Sequence, residues 1–181
     1  MKKPKIFMIG GAKGVGKTSL TTAISLEKNL ARLETGRVLF EYFKDMPQIN
    51  FKDYLTKKIL NNKKDTILDT HFAQYPPYGN ESVPFERGLD SEHILTLSNN
   101  FDIYPCLLEL DPKTLLQRRL DDQKRRVIIS KLILEELIFN QKAADLYSLE
   151  LKKPLFKLEN KNFEETKNKI INWIELYPEK K

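Results

Sequence analysis

A chain of 181 residues is long enough to bury a core and is expected to form one domain, 1–181. Its 40% apolar and 31% charged residues are an ordinary soluble composition, and a net charge of +6 suits anionic ligands such as phosphates. One cysteine, Cys106, excludes an internal disulfide and a cysteine metal site, and no run nears the roughly 20 apolar residues that span a bilayer.

The start, Met1 to Lys5, is basic, but the apolar run after it is too short for a signal peptide, so a cytoplasmic protein is expected. Ile6-Phe7-Met8-Ile9 reads as a buried strand, about residues 5–10. A helix is predicted over about 17–33, ending before Gly36. Arg37 to Phe43, with Val38, Leu39, Phe40, Tyr42 and Phe43, has a strand-like composition. Phe51, Tyr54, Leu55, Ile59 and Leu60 fall at helical spacing, and Thr66-Ile67-Leu68-Asp69 reads as a third strand.

From Gln74 to Asp90 the chain carries Pro76, Pro77, Gly79, Pro84 and Gly88, a long loop of the kind that usually serves function. Ser91 to Ser98 reads as a short helix capped by Ser91. Ile103 to Leu110 is a fourth strand, with Cys106 in its apolar run. Asp111-Pro112 then opens a helix with an Asp cap and Pro at the first position. Ser130 to Leu149 is a further helix, Leu155 to Leu158 a fifth strand, and about 163–176 the last helix. Strands alternating with helices predict an α/β fold, a doubly wound five-stranded parallel sheet flanked by helices.

The chemistry concentrates in Gly11-Ala12-Lys13-Gly14-Val15-Gly16-Lys17-Thr18, which fits the P-loop pattern between a strand and a helix. Glycines let backbone N–H groups turn inward, and the helix that opens with Thr18 and Ser19 faces its positive end to a bound anion. A nucleoside triphosphate is the expected ligand. Lys17 would reach its β- and γ-phosphates, and Thr18 would ligate Mg²⁺. Asp69 closes an apolar strand, where a P-loop protein holds its metal or the metal's waters. His71, two residues on, is a candidate substrate contact or an orienter of Asp69, and equally a structural histidine. His93 reads as a surface or packing residue.

Arg118, Arg119, Arg125 and Arg126 are the densest arginine group, suited to phosphoryl oxygens that gather transition-state charge. They suggest a small lid at about 118–128 that closes over ATP. Arg87 stands alone in the long loop and could clamp a second, phosphate-bearing substrate. Gln74, Tyr75 and Tyr78 could meet a base by hydrogen bonds or stacking. No basic stripe with interleaved aromatics signals nucleic acid.

The P-loop, Leu68-Asp69-Thr70-His71, and Arg118-Arg119-Leu120-Asp121-Asp122 running on to Arg125 and Arg126 together resemble the nucleoside monophosphate kinases, the archaeal-type adenylate kinases most. The resemblance implies ATP + AMP ⇌ 2 ADP with Mg²⁺, a lid after the fourth strand, and an oligomer. Those enzymes carry a larger acceptor-binding segment with an arginine. Here the segment 44–65 is short and has none, which leaves Lys44, Lys52, Lys57 or Arg87 for that part. Two other readings stand beside it. One is a kinase of another small molecule, with Asp69 as general base. The other is a partner-stimulated P-loop ATPase.

Overall fold

A computed structural model of the chain describes residues 3–74, 86–122 and 129–177. Its centre is a five-stranded parallel sheet in the order β2-β3-β1-β6-β7. The strands are β1 (Lys5–Gly10), β2 (Ala31–Glu34), β3 (Thr66–Asp69), β6 (Asp102–Glu109) and β7 (Phe156–Glu159). All four strand pairs run parallel, and the register sets Ile9 beside Asp69 on one side and Cys106 on the other. A small antiparallel pair, β4 (Ala73–Gln74) with β5 (Glu86–Arg87), stands apart from it.

Among the described residues seven helices flank these strands: α1 (Lys17–Glu27), α2 (Thr35–Asp45), α3 (Phe51–Leu60), α4 (Ser91–Asn100), α5 (Pro112–Asp121), α6 (Ser130–Leu151) and α7 (Phe163–Glu175). Alternation along β1 divides the core. Ile6 and Met8 pack with residues of α2, α3, α4 and α6. Phe7 and Ile9 pack with Leu20 and Ile24 of α1, Leu115 of α5, and Ile170 and Trp173 of α7. Each fully buried side chain of this size contributes about 1.5–3 kcal/mol, so the two layers fix the sheet from both sides. Among the described residues no helix is long and apolar enough to cross a membrane.

The expected doubly wound sheet is present, with its second strand in a different place. Residues 37–43 form α2, not a strand. Val38 is buried, Tyr42 packs edge-on to Phe51 and Tyr54, and Phe40 on the far side is 73% exposed. That is one-sided burial at helical spacing, which outweighs the strand-forming composition of the segment. The strand lies instead at Ala31–Glu34, overlapping the end of the stretch read as helix. α1 ends at Glu27, and Asn29 turns the chain with a left-handed φ of 50°. α4 begins one residue later than its cap, which is Asp90 rather than Ser91.

Side-chain caps fix the starts of α3, α5 and α7, with Asn50 accepting from Asp53 N at 2.9 Å. Asp111 accepts from Thr114 N at 3.0 Å, and Asn162 from Glu165 N at 3.0 Å.

Candidate active site

The P-loop leaves the carboxyl end of β1 and re-enters the fold as α1, so its tip stands above the sheet beside β3 and β6. Gly16 serves as the N-cap of α1 in a left-handed conformation, φ 95°. A Cβ there would lie 2.5 Å from Asn160 Nδ2, which itself donates to Val15 O at 2.6 Å. Ala12 and Val15 are buried, while the loop amides and the first turn of α1 border an open cleft of 520 Å³. Lys13, Gly14, Gly16, Lys17, Thr18 and Ser19 line it together with Glu34, Thr35, Gly36, Asp69, His71 and Asp122.

Lys17 is 5% exposed and donates to Gly11 O at 2.7 Å and Ala12 O at 2.8 Å. His71 Nδ1 lies 3.1 Å from Gly11 O and 3.2 Å from Lys17 Nζ, so the histidine belongs to the P-loop surroundings. Asp69 is buried at the end of β3. Its Oδ2 accepts from Thr21 Oγ1 at 3.1 Å and from Arg32 Nη2 at 3.0 Å, and Oδ1 carries neither bond. Arg32 also reaches Glu34 Oε2 at 2.9 Å, and Thr35 Oγ1 donates to Asp69 O at 3.2 Å. β2 thus supplies a charged flank to Asp69 that the sequence reading placed inside a helix.

The two arginines of α5 act on the loop itself. Arg119, 2% exposed, donates to Lys13 O from Nε at 2.9 Å and from Nη2 at 2.6 Å. The same Nη2 donates to Glu136 Oε2 at 2.7 Å, and Glu136 Oε1 accepts from Lys13 N at 2.7 Å. Arg118 Nη2 donates to Asn160 O at 2.9 Å, beneath Gly16. Both side chains brace the P-loop and its surroundings; Arg125 and Arg126 lie outside the described residues.

α6 grips more than the P-loop. One turn past Glu136, Asn140 Oδ1 accepts from Phe72 N and Ala73 N at 3.2 Å each, and its Nδ2 donates to Ala73 O at 3.0 Å. Two turns further, Tyr147 Oη accepts from Leu89 N at 2.8 Å and donates to Leu89 O at 3.0 Å. Glu136, Asn140 and Tyr147 share one face, so a single helix holds the P-loop, the turn after β3 and the turn after β5.

Arg87 does not open into the cleft. Its guanidinium pairs with Glu150, Nη1 donating to Oε1 at 2.8 Å, and lies 4.0 Å from the centre of the Tyr147 ring. The Arg87 hydrogen bond holds the Glu150 carboxyl below its usual range. Gln74 ends β4, opposite Glu86. Tyr75 and Tyr78 lie outside the described residues. Cys106 is fully buried in β6, and burial pushes its thiol far up, so it is core and no nucleophile.

Sequence reasoning missed Arg32, Glu34, Thr35, Glu136 and Asn160. Only Arg32 and Glu34 carried a local signal, since their alternation with Ala31 and Leu33 is that of a short strand.

A P-loop after the first strand, an acidic residue closing the strand beside it and this sheet order define a P-loop α/β fold, one that solved kinases share. No family model matches the chain. It resembles the adenylate kinase of Thermoplasma acidophilum, 24% identical over 132 residues that span 65% of this chain and 68% of that one. Its fold is shared by the YorR protein of Bacillus subtilis, solved in complex with phosphorylated GDP. That match has a TM-score of 0.64 at 12% identity and covers 95% of this chain and 96% of that one. Shikimate kinase from Acinetobacter baumannii, solved with shikimate, follows with a TM-score of 0.59 at 16% identity, covering 98% and 96%.

Proposed function

We propose that the chain transfers the γ-phosphoryl group of ATP to a small acceptor, with a nucleoside monophosphate as the first candidate. The observation that carries this is the convergence of Lys17, Thr18 and Asp69 on one cleft that Glu34 to Gly36 also line. The similarity to an adenylate kinase supports the monophosphate.

The loop amides and the α1 N-terminus would hold the phosphates, and Lys17 would turn from its own loop carbonyls to the β- and γ-oxygens. Thr18 and Asp69 fit a Mg²⁺ ion, being a hydroxyl and a carboxylate on the same cleft, the donors that hold this metal in P-loop proteins. When bound, that ion supplies charge neutralisation at the β- and γ-oxygens. Arg32 fixes the Asp69 carboxylate through Oδ2. Arg119 and Glu136 keep the Lys13 peptide in place, so the loop amides need no rearrangement as charge develops. The terminal P–O bond of ATP breaks as an acceptor oxygen bonds to phosphorus, and ADP leaves. A monophosphate acceptor presents an ionised oxygen and needs no base.

A second reading has its own observation. Glu34, Asp69 and Asp122 all line the cleft, and Arg87 is engaged by Glu150, which favours a hydroxyl-bearing acceptor over an anionic one. Asp69 would then take the hydroxyl proton. ADP production from Mg-ATP, measured alone and then with AMP, CMP, UMP, GMP, dTMP and a set of sugar acids and polyols, separates the two. Stimulation by one monophosphate supports the first reading. Stimulation by an alcohol alone overturns it for the second, and slow hydrolysis that no acceptor changes overturns both.

A further inference from the structure

On the far side of α2, the packed ends of α3 and α4 bring one histidine among three carboxylates. His93, in the first turn of α4, is 5% exposed. Its Nε2 lies 3.0 Å from Asp53 Oδ1 of α3. A carboxylate only accepts, so Nε2 donates and the neutral ring keeps its lone pair on Nδ1. That atom is buried, has no hydrogen-bond partner, and lies 3.9 Å from Asp90 Oδ2. Asp90, Glu92 and His93 each offer one ligand atom, all within 4.8 Å of one another.

We propose that Asp90, Glu92 and His93 bind one divalent ion of the zinc or nickel type, with Asp53 as the outer carboxylate that orients the imidazole. A metal-bound histidine donates its other ring N–H to a carboxylate, and Asp53 stands in that place. Asp90 is the N-cap of α4, yet its side chain makes no capping hydrogen bond. It turns instead to Lys52 Nζ, 2.9 and 3.0 Å from its two oxygens. The ammonium therefore marks a cation position, on a flexible stem that a stronger cation displaces. One imidazole with two carboxylates suits zinc or nickel better than magnesium or calcium, which prefer oxygen throughout.

Access is open. Lys52, Asp90, Glu92 and His93 line a cavity of 430 Å³ that shares no residue with the P-loop cleft. Two features weaken the site: competition from Lys52 and the positive end of α4. Both predict a reversible ion completed by water rather than a closed structural centre.

The test is calorimetric titration of the full chain, freed of metal by chelation, with Zn²⁺ alone and no nucleotide. Binding of one ion is expected that His93→Ala abolishes, the exposed Glu92→Gln weakens, and Asp53→Ala weakens by about 10–100-fold. Lys52→Met should tighten it by removing the competitor. Thermal melts of each variant separate lost binding from lost folding, and Glu92→Gln serves if His93→Ala does not fold. Absence of binding, equal binding by wild type, His93→Ala and Glu92→Gln, or loss of the ion with Asp69→Asn overturns the proposal; the last would place it at the nucleotide cleft.

Discussion

Arg119 Nη2 lies 2.7 Å from Glu136 Oε2, and between them these two buried side chains hold the main-chain N–H and C=O of Lys13. The pair joins α5 and α6 across the tip of the P-loop. Glu136→Ala would leave a guanidinium in the interior without its carboxylate, at a cost of about 3–5 kcal/mol. Glu136→Gln keeps an oxygen for Lys13 N and should lose less. Urea unfolding of both variants checks this. A loss under about 1 kcal/mol in Glu136→Ala, the range of exposed pairs, would show that the pair does not hold the loop.

Lys17→Met should lower kcat/KM for ATP by about 10²–10³, the range for a single donor to transition-state charge. Two of its hydrogen bonds go to carbonyls of its own loop and it also lies 3.2 Å from His71 Nδ1, local contacts whose loss should move the urea midpoint little. Parallel loss of folding and activity would contradict that separation.

Gly16→Ala asks a residue with a Cβ to adopt φ 95° with Asn160 Nδ2 only 2.5 Å away. The left-handed conformation alone costs about 1–2 kcal/mol. The loop should relieve the clash by moving from Asn160. Weaker binding of a fluorescent ATP analogue is expected, with the hydrophobic core intact by near-ultraviolet circular dichroism.

Burial raises the Tyr147 phenol from its usual 10 to about 12. Between those values the unfolded chain has released the proton that the folded chain still holds. Stability is therefore fully present below pH 10 and falls as pH rises toward 12, by up to about 1.4 kcal/mol per pH unit. Tyr147→Phe should remove that part of the slope. It should cost about 1–3 kcal/mol at neutral pH, because Leu89 N and O lose their partner. Urea unfolding of both proteins at pH 9, 10 and 11 gives the difference directly.

Local chemistry made much of the fold readable. Glycine spacing located the P-loop, Asp111-Pro112 located α5, and the apolar runs located β1, β3 and β6. β2 was hidden because four residues are too short for a period to show against the helix before them. α2 was hidden because Phe40 and Phe43 are aromatic yet point away from the core. The site divides the same way. Lys17, Thr18 and Asp69 announce themselves by motif and strand end. Arg32, Glu136 and Asn160 act on groups 37, 123 and 145 residues away, and no local pattern encodes a contact at that separation. Arg118 and Arg119 were legible as a pair, but their attachment to backbone carbonyls was not.

The grips on α6 take hold of main-chain atoms at Lys13, Phe72, Ala73 and Leu89, and ask nothing of the side chains there. Of these only Lys13 lines the cleft, so its side chain can change without loosening where the loop stands, whereas Phe72, Ala73 and Leu89 are themselves buried in the core. Glu136, Asn140 and Tyr147 have no such latitude, since each would release a whole segment. Drift among descendants of this chain should accordingly be uneven: generous at the Lys13 side chain, slow along one stripe of α6.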